Sequence, residues 1–139
     1  MVEIEFMDEL NDDIKELIDY EFNKYAEKNG VKSDYKKFNF VARNDNKVVG
    51  VINGHSCYDE IHISDFIVVE EYRNQHIGNM LIKKVEEYFK DTDFENFNLT
   101  TYEFQAPGFY ENMGYRLEYV RKNSENPKLN KYFYSKKRR

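Results

Sequence analysis

Val68-Val69-Glu70-Glu71-Tyr72-Arg73-Asn74-Gln75-His76-Ile77-Gly78-Asn79-Met80-Leu81 is the stretch on which the fold turns. An apolar, β-rich run ends at Val69, a polar turn follows, and a helical pattern starts at His76. Ile77, Leu81, Val85 and Tyr88 line one face of a helix expected over residues 76–90, with Met80 at its edge. Backbone N–H groups at the start of a helix have no partner within it and can hold phosphate. Gly78 lets an anion come close to the first turn, and Arg73 adds a charged fork. By themselves these residues argue for an anion site and for no particular reaction.

Working outward, residues 60–69 read as a strand before this helix and residues 94–101 as a strand after it. Strand, helix, strand in that order predicts a crossover unit with the two strands parallel. Upstream, residues 38–43 and 47–56 form a hairpin around the turn residues Asn44-Asp45-Asn46. Downstream, residues 105–113 read as a short helix with Pro107 in its first turn, ended by Gly114. A strand over 115–121, a loop over 123–130 and a closing strand over 131–135 follow. Near the start, residues 3–6 read as a short first strand. A helix from Asn11 or Asp12 to Glu27 carries Ile14, Leu17, Ile18, Phe22 and Tyr25 on one face. Residues 31–37 fit either a loop or a short helix. The expectation is an α/β protein with a mixed sheet, and 139 residues fit one domain over 1–139.

The cofactor turn, read as Arg73-Asn74-Gln75-His76-Ile77-Gly78, resembles the Arg/Gln-x-x-Gly-x-Gly/Ala motif of the GCN5-related N-acetyltransferase superfamily. Phe66-Ile67-Val68 is similar to the strand end that runs beside the pantetheine arm in that family. Phe109-Tyr110-Glu111-Asn112-Met113-Gly114-Tyr115 is similar to its Phe-Tyr-x-x-x-Gly-Phe/Tyr signature. The resemblance is strongest over residues 48–115. It implies the acyl-CoA N-acyltransferase fold, a centrally splayed mixed sheet flanked by helices. It implies acetyl-CoA as acyl donor, held by Phe66, Ile67, Val68, Arg73, Asn74, Gln75, His76, Ile77, Gly78 and Asn79. His76 departs from the pattern, standing where the family has its first glycine. Ordinary helical dihedrals would allow a side chain there, with the imidazole either facing the phosphates or pointing to solvent.

The resemblance further implies an N-acetyltransferase in which an amine attacks the thioester directly. The Val68 N–H would meet the thioester oxygen, and Tyr110 would act as general acid at the coenzyme sulfur. The alternative for Tyr110 is a core aromatic whose hydroxyl merely finds a partner. Counted back from Arg73, Glu60 falls at the position of the catalytic glutamate in the histone-acetylating branch of the superfamily, which makes it the candidate base, with Asp59, Asp65 and His62 as alternatives. Strand alternation puts Glu60 and His62 on one face, and Ile61 and Ile63 on the other. His62, Tyr102, Glu103 and Gln105 are expected to border the acceptor; the alternative for the last three is to shape the loop before Tyr110. A homodimer fits the resemblance.

Composition narrows the rest. The formal net charge of −5 disfavours general affinity for nucleic acid. An acidic segment over residues 2–21 and a basic end over 135–139 make the charge uneven. Cys57 is the single cysteine, so it forms no internal disulfide, and a reducing cytoplasm is expected. No leader peptide and no run long enough to cross a bilayer are read. His55, His62 and His76 lack metal-ligand spacing, so no metal is expected. The resemblance implies an acceptor that is an amine-bearing small molecule, peptide or protein. The alternatives to an enzyme are an acyl-CoA-binding sensor and an interaction scaffold retaining the fold.

Overall fold

The computed structural model describes residues 1–138 and divides into two compact units, residues 1–33 and residue 34 onward. The first unit holds helix α1 (Asp12–Lys28). Asn11 caps it, its side chain accepting from the Ile14 N–H at 2.9 Å, and Asp12 and Asp13 complement the positive end of the helix. At the other end the Val31 N–H bonds back to Ala26 and the Gly30 N–H to Glu27, closing the last turn. Residues 3–6 form no strand, contrary to the sequence expectation. Four alternating residues become a strand only by pairing, and the sheet contains no strand from this unit.

The second unit is a six-stranded mixed sheet in the order β1-β2-β3-β4-β6-β5. Its strands are β1 (Lys36–Asn44), β2 (Lys47–Cys57), β3 (Glu60–Val68), β4 (Asn96–Tyr102), β5 (Arg116–Arg121) and β6 (Lys131–Lys137). Asp45 and Asn46, both left-handed, make the tight β1–β2 turn. Helix α2 (Ile77–Tyr88) crosses from β3 to β4, which pair in parallel as expected. Leu81, Ile82 and Val85 of α2 are buried with Ile52, Ile61, Ile63, Phe97 and Leu99 of the sheet. Met80 stays exposed. Of the face read from the sequence, Leu81 and Val85 are buried and Ile77 is half-buried, whereas Tyr88 is exposed, and Ile82 completes the buried face.

The expected helix over 105–113 is broken in two. Residues Glu103–Gln105 form a single 3₁₀ turn, Ala106 is left-handed, and α3 spans only Gly108–Asn112. Pro107 caps α3 rather than sitting within it. The Gln105 side-chain oxygen accepts from the Tyr102 N–H at 3.1 Å and the Thr101 hydroxyl at 3.3 Å, which stabilises the break.

β3 and β4 pair only through Glu60–Asn96, Ile61–Phe97 and His62–Asn98. Beyond that point β3 continues to Val68 and β4 to Tyr102 without pairing to each other. The two central parallel strands therefore diverge, and the sheet opens like a wedge with its vertex at His62 and Asn98.

Candidate active site

One wall of the wedge is the end of β3. The Val69 N–H donates to the Val49 carbonyl at 2.9 Å, and Val68 stands opposite Gly50. Backbone groups along an antiparallel strand alternate sides. The N–H groups of Val68 and Phe66 therefore point away from β2 and into the opening. The Val68 carbonyl, on the same side, accepts from Arg73 Nε at 2.9 Å. Arg73 thus straps the turn to the strand end.

The turn itself is tightly curled. Asn74 and His76 both adopt left-handed backbone, with φ 66° and 63°. The sequence reading allowed His76 ordinary helical dihedrals, and the structure corrects this. The left-handed geometry accounts for the glycine that the motif carries at this position. His76 is exposed and its side chain caps nothing. The first N–H groups of α2, at Ile77, Gly78 and Asn79, receive no side-chain cap, so they suit a phosphate. Replacing His76 by glycine should make the protein about 1 kcal/mol more stable than replacing it by alanine, because only alanine keeps the left-handed penalty. Urea denaturation of the two variants measures the difference.

Packing leaves just enough room at Gly78 for a β-carbon in ordinary van der Waals contact. A β-carbon there would lie 3.4 Å from the Phe109 ring and 3.6 Å from the Phe66 ring. These rings bring α3 against the wedge, and with them Tyr110. The Tyr110 ring centroid lies 6.2 Å from Phe66, 5.7 Å from Tyr134 and 6.0 Å from Tyr115. Burial pushes its phenol up to about 12. No side-chain hydrogen bond from the described residues contributes to that shift, so the hydroxyl is held by its ring alone. The end of α3 is pinned as well. Lys136 Nζ donates to the Met113 carbonyl at 2.9 Å and pairs with Glu86 of α2 at 3.1 Å. Glu86 also accepts from the Tyr115 hydroxyl at 3.4 Å.

A second group of polar residues stands on the sheet face opposite α2. His62 Nδ1 and Asn98 Oδ1 are 2.6 Å apart at the vertex. His55 of β2 lies beside His62, with ring centroids 5.4 Å apart, and Tyr35 stacks on His55 at 5.3 Å. Burial first, then His62 and Lys37, holds the His55 imidazole below its ordinary value. Glu60 is exposed at the closed end of the β3–β4 contact, opposite Cys57 and Asn96. It shares the His62 face, as alternation required, while Ile61 and Ile63 are buried. Glu60 is six residues before Phe66, roughly 20 Å along an extended strand. The structure does not bring Glu60 and Tyr110 together. Tyr102 and Glu103 lie at the end of β4, and the Gln105 oxygen is engaged in its own loop. Asn98 escaped the sequence reading. It is 36 residues from His62, and only the β3–β4 register joins them.

The wedge, the uncapped helix start and the following aromatic helix coincide with a known family. Residues 4–115 match the profile of the Acetyltransferase (GNAT) family. The chain belongs to the GNAT family of acetyltransferases. Solved structures agree on the fold. An acetyltransferase from Bacillus cereus ATCC 14579 is 23% identical with a TM-score of 0.76, over 96% of this chain and 97% of that one. A structure from Agrobacterium tumefaciens is 20% identical with a TM-score of 0.79, over 98% and 99%. An aminoglycoside 6'-N-acetyltransferase complexed with coenzyme A is 17% identical with a TM-score of 0.62, over 74% and 73%. None of the curated proteins compared with the chain matches it. The described GNAT chain contains no helix long and apolar enough to cross a membrane.

Proposed function

We propose that the chain moves the acetyl group of acetyl-CoA onto a primary amine by direct attack. The observation that carries this reading is the pair of N–H groups, Phe66 and Val68, directed into an opening beside the Tyr110 ring. A donor aimed at a carbonyl oxygen stabilises the negative charge that develops there. Phe66 is the one in contact with Tyr110, so a thioester oxygen at its N–H places the sulfur near the phenol. Val68, Arg73 and the first turn of α2 then receive the pantetheine arm and the phosphates.

The amine lone pair forms the C–N bond, the C–S bond breaks with its electrons on sulfur, and the amine loses one proton. Tyr110 is the acid of this scheme. A phenol near 12 is a far weaker acid than a thiol near 8.5. Full transfer to a free thiolate would be uphill by roughly 5 kcal/mol. The useful contribution of Tyr110 is therefore a hydrogen bond to the sulfur as its charge develops. Glu60, nominated from sequence as base, reaches an amine at the thioester only through a chain of waters.

One observation favours a second reading, an acyl-CoA sensor without turnover: His76 places a side chain in the left-handed turn before α2. Thiol release from acetyl-CoA in the presence of a broad amine panel separates the two. Amine-dependent release is expected. Coenzyme binding without release would leave the sensor, and absence of binding would remove both.

A further inference from the structure

We propose that His62 accepts the proton of the attacking amine, with Asn98 as the positioning residue that leaves His62 Nε2 free to do so. This rests on the acetyltransferase reading. His62 and Asn98 are the last paired residues of β3 and β4, so the imidazole stands where the wedge begins. An amide oxygen only accepts. Asn98 Oδ1 at 2.6 Å, oriented as in the structure, therefore requires the proton on Nδ1 and leaves the lone pair on Nε2. Nε2 has no partner among the described residues and is not a buried orphan. A histidine serving only packing would be expected to use both nitrogens or bury them.

The surroundings suit the task. From β2, His55 faces His62, and burial first, then His62 and Lys37, holds the His55 imidazole below its ordinary value, which disfavours a second positive charge beside His62. Tyr35 covers the far side of His55, and Lys37 of β1 lies opposite His55 in the ladder. From β4 comes Asn98. Along β3 the register shift skips Ser64, so Asp65 joins Glu60 and His62 on the exposed face while Phe66 and Val68 turn toward the core side. Glu60 and Asp65 stand two residues before and three residues after His62 on that strand, and their negative charge favours a cationic amine arriving as its ammonium. His62 is four residues from Phe66, roughly 13 Å along the strand. The side chain, the amine and one or two ordered waters span that gap. The ammonium proton passes to Nε2, the amine nitrogen attacks, the C–S bond breaks with its electrons on sulfur, the nitrogen's second proton goes to the departing thiolate, and imidazolium later returns the first proton to solvent.

The test has two arms on the full chain. In the first, ¹⁵N NMR of the histidine rings reads the tautomer. His62 should be protonated at Nδ1 when neutral, and Asn98→Asp, whose carboxylate only accepts, should keep that tautomer. A majority of Nε2–H His62 overturns the proposal. In the second, methylamine is the probe acceptor with saturating acetyl-CoA. His62→Gln should lower the rate about 100-fold with unchanged coenzyme affinity by calorimetry, and added imidazole should restore part of the loss. A variant as fast as the wild type overturns the role of His62 alone. A wild type that does not bind acetyl-CoA overturns the acetyltransferase reading instead.

Discussion

Gly54→Ala should destabilise the protein by about 3 kcal/mol or more, against a total stability on the order of 5–15 kcal/mol. A β-carbon at Gly54 would lie 1.9 Å from the His62 carbonyl oxygen and 2.9 Å from both the His62 carbonyl carbon and the Phe38 ring. Two of those atoms are backbone and cannot rotate aside. Gly54 also sits beside the register shift at which β3 skips Ser64. Relief would require β2 and β3 to part at the strand that forms one wall of the wedge. Urea denaturation should show the loss, and acetyl-CoA affinity should fall with it. Gly108→Ala is the control, because a β-carbon there meets nothing within 4 Å. Equal stability of the two variants would mean that β2 and β3 do not approach as described.

Tyr110→Phe should reduce turnover about 100-fold while leaving acetyl-CoA affinity and neutral-pH stability nearly unchanged. The ring does the packing against Phe66, Tyr115 and Tyr134, and phenylalanine keeps it. Only the donor to the sulfur is lost. Single-turnover acetyl release reads the effect, and an unchanged rate would remove Tyr110 from the chemistry. The phenol also has a pH signature. Burial raises it from the ordinary 10 to about 12 in the native state. The unfolded chain therefore binds fewer protons than the native one between those values. The stability contributed by the neutral phenol is complete below pH 10 and is lost as pH rises through 12. Tyr110→Phe should thus lose less stability than the wild type between pH 9 and 11. Tyr134, likewise raised to about 12 by burial and by its bond to Glu111, continues to contribute in both proteins.

The β3–α2–β4 unit was legible because periodicity is local: Ile77, Leu81, Val85 and Tyr88 announce one helix face without help from elsewhere. The turn chemistry of Asp45-Asn46 was legible for the same reason. Residues 3–6 misled because strand identity depends on a partner that sequence alternation does not supply. The divergence of β3 from β4 cannot be read from either strand: the alternation of β3 shifts at Ser64, but that shift belongs to its pairing with β2 and does not report where pairing with β4 ends. It came from family resemblance and is seen directly only in the pairing. The left-handed state of His76 was equally hidden, since a non-glycine residue there reads as an ordinary helix start. The contact between His62 and Asn98 depends on a parallel register set by the whole crossover. Tyr110 could be nominated from its motif, but its isolation from hydrogen-bond partners required the packed aromatic cluster.

The central claim is that the opening between β3 and β4 receives acetyl-CoA. Backbone and aromatic NMR of the full chain, recorded through a titration with acetyl-CoA, tests it most directly. The largest shifts should fall on the amides of Phe66, Val68, Ile77, Gly78 and Asn79 and on the Tyr110 ring, with little change at Glu60 and Asn96. Binding whose shifts cluster away from those residues, leaving the Phe66 and Val68 amides and the Tyr110 ring untouched, would contradict the account.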